Sequence, residues 1–139
     1  MGLTYATIEL VNQFDEYDFK KGRSSLASIR RWSGQMMVDT GAIRLVINEE
    51  IRDQLGLERG SKMKASLADG NSLDLEVVGG IKVRFGDRYC YTGAFVLPGN
   101  TEPLLGVVPL EEMDLVIIPS RNTLEYNPEH PDGPIFSLK

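Results

Sequence analysis

On either side of the turn at Asp69-Gly70-Asn71, from Met63 to Leu67 and from Leu73 to Val77, apolar residues recur at every second position, and this stretch restricts the fold more than any other. Met63, Ala65 and Leu67 alternate with Lys62, Lys64 and Ser66; Asp69-Gly70-Asn71 supplies a turn; Leu73, Leu75 and Val77 alternate on the return. A helix repeats every 3.6 residues and scatters such a set around its circumference, whereas a strand keeps it on one face. The stretch therefore predicts a long antiparallel hairpin.

Most of the remaining chain fits the same class. Thr4–Val11 is rich in β-branched residues and predicts a first strand, and Ile29–Val38 predicts a strand returning to the core. The segment from Asn12 to Ser28 mixes acids, Lys, Gly and Ser without a clear period and is expected to be a loop with a short irregular strand. Leu45-Val46-Ile47 reads as a short strand. Asn48 then caps a short helix beginning at Glu49-Glu50, with Ile51 and Leu55 on one face and Gly56 closing it. Gly79-Gly80 is expected to break the long hairpin, after which Ile81–Phe85 and Tyr89–Leu97 pair around Gly86-Asp87. Pro109 fits the first position of a second short helix through Met113. Leu115–Ile118 and Thr123–Tyr126 form a final hairpin, and the proline-rich tail from Asn127 to Lys139 is expected to be extended coil. The sum is a single mainly antiparallel β-domain, residues 1–139, with two short helices.

Composition excludes several functions. A formal net charge of -5 argues against nucleic acid, whose phosphates call for clustered Lys and Arg. The basic stretches Lys20-Lys21-Gly22-Arg23 and Arg30-Arg31 read as a solvated loop and a strand edge. The one cysteine, Cys90, lies in an apolar stretch and reads as buried filler, and His130 sits far along the chain, so neither a Cys-His pair nor a zinc site is expected. The acids Asp15, Glu16 and Asp18 lack the spacing of a calcium loop, and Trp32 reads as a strand aromatic covering the edge of the core. Without a leader-like N-terminus or an apolar run near the roughly 20 residues that span a bilayer, the expectation is a soluble cytoplasmic protein with no membrane partner.

The chemistry concentrates at Val38-Asp39-Thr40-Gly41-Ala42, which follows the apolar run Met36-Met37-Val38. A carboxylate at a strand end over a tight turn works best beside a second carboxylate. Two like charges at about 3 Å cannot both ionise, so the pair shares a proton and supplies an acid and a base together. This chain carries one such turn, so the second must come from elsewhere. Taken alone, Asp39-Thr40-Gly41 reads first as an Asx-type turn with the side chain satisfying its own backbone. A phosphoaspartyl enzyme would require a second nearby acid and alternating strands and helices.

The order of features resolves this. An apolar run leads to Asp39-Thr40-Gly41-Ala42, then a short strand and helix ending at Leu55-Gly56-Leu57, a glycine-tipped hairpin at Ala68-Asp69-Gly70, Leu104-Leu105-Gly106, and a short helix with a terminal hairpin. This order closely resembles the retroviral-type aspartic proteases, particularly their small bacterial members, from about Thr4 to Pro131. The resemblance implies a retropepsin-like all-β lobe, a closed barrel or sandwich with a flap hairpin and two short helices.

It implies further that Asp39 is the catalytic aspartate, that Thr40 hydrogen-bonds across a dimer axis, and that Gly41 and Ala42 shape the active loop. Leu104, Leu105 and Gly106 would support that loop from behind, while Ala68, Asp69, Gly70 and Asn71 would form the flap over an extended peptide or protein substrate. Such proteases are homodimers with one aspartate per chain and need no metal or cofactor. Relatives often place Ser, Thr or Asp where this chain has Ile43, followed by Arg44. That departure motivates an alternative: a dimeric peptide-binding or assembly module of the same fold with little or no proteolysis. Ile43, Val46, Leu73 and Val108 are the expected pocket residues, with an apolar preference at the cleavage point.

Overall fold

The computed structural model describes residues 2–136 and 138; Met1, Ser137 and Lys139 lie outside them, including the end of the expected coil tail. The strands are β1 (Thr4–Asn12), β2 (Arg31–Val38), β3 (Leu45–Asn48), β4 (Lys62–Ser66), β5 (Ser72–Phe85), β6 (Arg88–Leu97), β7 (Leu104–Leu105), β8 (Leu115–Ile118) and β9 (Thr123–Tyr126). Three helices join them: α1 (Gln13–Lys20), α2 (Glu49–Leu55) and α3 (Val107–Glu112). The main sheet has the order β1-β2-β7-β3-β6-β5-β4, and β1 also pairs with β5. Six strands therefore close into a ring, with β4 projecting beyond it; β8 and β9 form a separate hairpin.

The barrel interior is filled by the inward half of each alternating strand: Ile8 and Leu10 from β1, Met36 from β2, Leu45 and Ile47 from β3, Ile81 and Val83 from β5, and Leu105 from β7 are all fully buried. Each such aliphatic side chain contributes about 1.5–3 kcal/mol relative to leaving it in water. Helix α2 covers one end with Ile51 and Leu55. Its cap follows the sequence pattern: Asn48 Oδ1 accepts from the Ile51 amide at 2.8 Å, and Gly56 ends the helix with φ of 65°.

Four expectations are corrected. The segment after Asn12 is not a loop with an irregular strand but helix α1, followed by a 3-10 turn at Leu26–Ser28, so the described residues include three α-helices. Asn12 starts α1 by accepting from the Phe14 and Asp15 amides, and the acids Asp15 and Glu16 occupy the first turn; no residue of the helix is buried, which explains the missing apolar period. Gly79-Gly80 does not break the hairpin: β5 runs on through a bulge between Val78 and Ile81, with Gly80 at a φ of 81° that a β-carbon would disfavour. Helix α3 begins at Val107, which makes Pro109 its third residue. The tail is not simply extended, because it turns at Asn127 to bring His130 Nδ1 within 2.6 Å of Asp114 Oδ2.

No helix among the described residues is long and apolar enough to cross a membrane.

Candidate functional site

The loop carrying Asp39 is fixed by its neighbours on both sides. Strand β2 ends with Met37 and Val38 paired in parallel with Leu104 and Leu105, and the Asp39 amide donates to the Leu105 carbonyl at 3.0 Å. The turn closes through the Ala42 amide to the Asp39 carbonyl at 3.1 Å and the Gly41 amide to Asp39 Oδ1 at 2.9 Å. Beyond the turn, the carbonyls of Ala42 and Ile43 accept from the Val107 and Val108 amides at 2.8 and 2.9 Å. These bonds cap the N-terminal end of α3 with the loop's own backbone. The loop passes so close to Gly106 that a β-carbon there would crowd the carbonyls of Arg44 and Ala42. Gly106 has extended backbone angles, so its role is to leave space rather than to adopt an unusual conformation.

Asp39 is half-buried, while Thr40 and Gly41 are exposed, and Ala42 is half-buried. Ile43 is 71% exposed, so its side chain points away from the core. Leu104 and Leu105 divide their sides, Leu105 entering the core and Leu104 facing out.

The outward face of the barrel beside Asp39 is apolar. Cross-strand register places Tyr5 opposite Met37, Met37 opposite Leu104, Leu104 opposite Val46, Val46 opposite Phe95, and Phe95 opposite Val77. None of the six is buried in the core, and each is next to a buried residue on its strand. Asp39 follows directly on β2, two residues beyond Met37, so it stands at the end of the strand that carries this part of the row. The row then extends onto the β4–β5 hairpin: Leu75 and Leu73 share Val77's face, and Met63 and Ala65 stand opposite them. Met63 and Leu73 are 44% and 46% exposed. The hairpin is thus apolar on one face with no core beneath it.

The hairpin is anchored at its root and free at its tip. Buried Arg52 on α2 donates to Glu76 Oε1 at 2.6 Å, and Glu76 Oε2 accepts from the Gly60 amide at 3.2 Å. At the tip, Asp69 Oδ1 accepts from the Asn71 amide at 2.9 Å and Gly70 takes φ of 89°; Ala68, Asp69, Gly70 and Asn71 are all exposed. Of the expected pocket residues, Val46 and Leu73 lie on the apolar row and its extension. Val108 instead lines a separate cleft with Tyr89, Cys90, Tyr91 and Phe136. Tyr5, Met37, Phe95 and Val77 were not singled out from sequence, although the period-two pattern of their strands carried the signal.

The other reactive side chains have structural partners. Asp15 pairs with Arg30, Glu16 with Lys82 and Lys20, and Asp18 with Arg23, so the acidic cluster is neutralised along α1. Cys90 is buried, and desolvation, reinforced by the charge of Glu112, pushes its thiol up to about 12. Such a thiol is not a nucleophile near neutral pH. Trp32 packs against the core. A cleft of about 590 Å³ lies between α1 and the glycines at 56, 60, 79 and 80, and shares no residue with the Asp39 loop or the apolar row. Of its charged groups, Asp15 and Arg30 are spent on each other at 2.8 and 2.9 Å, and Glu58 and Arg59 are exposed to water.

The family model for gag-polyprotein putative aspartyl proteases matches residues 27–112, from the 3-10 turn before β2 to the end of α3. That span holds the Asp39 loop, the β4–β5 hairpin and Leu104-Leu105-Gly106. No curated protein matches the chain.

Proposed function

The chain belongs to the gag-polyprotein putative aspartyl protease family, a retropepsin-like group, and from that premise we propose a homodimeric endopeptidase whose water is activated between two Asp39 carboxylates. The observation that supports this reading best is the apolar row beside Asp39 and its continuation onto the projecting hairpin. One chain supplies one carboxylate, one wall and one flap, which is half of a cleft. A second copy completes both the acid pair and the enclosure.

In the dimer, one Asp39 is ionised and the other protonated, because paired carboxylates share a proton. The ionised copy takes a proton from water, and the protonated copy hydrogen-bonds the scissile carbonyl oxygen. As water attacks, that copy passes its proton to the carbonyl oxygen to give a tetrahedral diol. The first copy then returns water's proton to the amide nitrogen, the C–N bond breaks to release the amine, and the second copy regains a proton from the diol hydroxyl. The hairpin closes over an extended peptide, with Ala68 to Asn71 at its tip excluding water, and Thr40 of each chain bonds across the two-fold axis. The apolar wall of Met37, Leu104 and Val46 favours apolar side chains at the cleavage point.

A second reading rests on Ile43. Its exposure puts an apolar group on the active loop, and a dimeric peptide-binding module with little hydrolysis would keep the same surfaces. The deciding experiment mixes wild type with Asp39→Asn at constant total protein and follows cleavage of a denatured protein. The substituted side chain retains a carbonyl oxygen for the Gly41 amide, so the loop and the dimer mass are expected to survive. Activity is expected to fall with the square of the wild-type fraction. Cleavage by Asp39→Asn alone would remove Asp39 from the mechanism, and peptide binding without cleavage by wild type would favour the module.

A further inference from the structure

Resting on the protease reading of Asp39, we propose that Arg44 sets substrate choice, directing the cleft to peptides with an acidic side chain beside the scissile bond.

Arg44 stands on the same side of the barrel as Asp39. It precedes Leu45, which is fully buried, and lies two residues before Val46, which faces out. Its contacts place it on Val46's face: the guanidinium carbon lies 5.3 Å from the centroid of Phe95, and Phe95 is the cross-strand partner of Val46 in the apolar row.

Arg44 is also distinguished by being half-buried with no acceptor for its guanidinium among the described residues. The chain has 20 acids against 15 Lys and Arg. Accordingly Arg30, Arg31, Arg52, Lys82, Arg84 and Arg121 each have a carboxylate within 4.0 Å. Among the described residues Arg44, Lys21, Arg59, Lys62 and Arg88 have none at that distance; Lys21, Arg59 and Lys62 are exposed to water and Arg88 donates to the carbonyls of Met113, Asp114 and His130, whereas Arg44 is half-buried with neither substitute. A cation held without an anion in an acid-rich protein, on an apolar wall, is arranged for an anion that arrives with a ligand.

The chemistry of the group specifies that anion. An aromatic ring holds the flat face of a guanidinium and leaves its edge donors free, and those donors match a carboxylate in a two-point fork. Low surrounding polarity strengthens the pairing. The substrate class is therefore a peptide with apolar side chains against Met37, Leu104 and Val46 and a Glu or Asp reaching Arg44.

The test uses fluorogenic peptides paired as Glu, Gln or Lys at each position flanking one apolar cleavage point. Wild type is expected to prefer Glu over Gln at one position by about tenfold in kcat/KM, the ratio corresponding to about 1.4 kcal/mol. Arg44→Gln is expected to abolish that ratio and Arg44→Glu to invert it toward Lys, a reversal that loss of packing alone does not produce. If neither variant folds, Arg44→Lys decides, with a reduced Glu preference expected. Equal cleavage of the Glu and Gln peptides by wild type, or a ratio unchanged by these substitutions, would overturn the proposal and leave the protease reading standing. Peptide affinity by fluorescence anisotropy in the Asp39→Asn background separates the two ideas. A Glu preference there that depends on Arg44, with no cleavage by wild type, sustains Arg44 and ends the protease reading; absence of that preference ends the Arg44 proposal.

Discussion

A β-carbon on Gly106 would stand 2.7 Å from the carbonyl oxygen of Ala42, a separation that real Cβ atoms essentially never show. The loop cannot retreat, because the Ala42 and Ile43 carbonyls are already bonded to the Val107 and Val108 amides. Gly106→Ala is expected to cost about 1–3 kcal/mol of stability, the usual penalty of overpacking. Since the displaced backbone leads directly to Asp39, peptide cleavage should fall further than stability does. Urea unfolding and initial rates on the same preparation check both.

Met63 and Leu73 offer the opposite combination. They project from the hairpin rather than the core, so Met63→Ser and Leu73→Ser are each expected to change unfolding free energy by no more than about 0.5 kcal/mol. Their place on the apolar face predicts a several-fold rise in KM. A large loss of stability with unchanged KM would mean that the hairpin packs on its own barrel instead of on substrate.

Asn12 is buried and works at both ends of its side chain. Its oxygen accepts from the Phe14 and Asp15 amides at 2.9 and 3.1 Å, and its nitrogen donates to the Leu55 carbonyl at 2.8 Å. Asn12→Ala removes the cap of α1 and strands a buried carbonyl, for an expected loss of about 2–4 kcal/mol. Asn12→Asp keeps the cap and loses the donor, so chemical denaturation should place it between wild type and Ala.

The same residue shows where sequence reading reached and where it stopped. Asn48 and Gly56 were legible as the ends of α2 because Ile51 and Leu55 supply an apolar face between them. Asn12 is an equally good cap, but α1 buries nothing, so no periodic signal accompanied it. Gly79-Gly80 reads as an interruption until cross-strand partners show that Ile81 resumes the ladder after a bulge. Pro109 tolerates any place in a first turn, and only the Val107 amide bonding back to Ala42 fixes the start of α3 two residues earlier. Asp39 and Leu104-Leu105-Gly106 were legible as a set, while the row from Tyr5 to Val77 required register between distant strands.

Asp114 connects the end of α3 to the tail. Burial alone pushes its carboxyl up, but hydrogen bonds from Asn127, His130 and the Ile135 amide, with the charge of His130, outweigh this and hold it below the ordinary carboxylate range. A lowered folded-state value means that its stabilising contribution is complete above the unfolded value of about 3.9 and is lost as pH falls through the folded value. Asp114→Asn is expected to flatten the acid limb of a Tm-against-pH curve. Asp114 has φ of 55°, which Asn tolerates, so the variant tests the charge and not the backbone.

Ring closure by β1 and β5 also governs how the protein avoids sticking to itself. A strand with two neighbours has no free row of amides and carbonyls, and within the main sheet β4 is the terminal strand with a single partner. Free edges invite other chains to add strands, and lysine is a common guard against it. Here Lys62 and Lys64 alternate with Met63 along β4, and the Lys64 side chain is 76% exposed. On β4 those two lysines are the guard: neutralising them removes the charges from that edge and is expected to favour addition of a strand from another chain there.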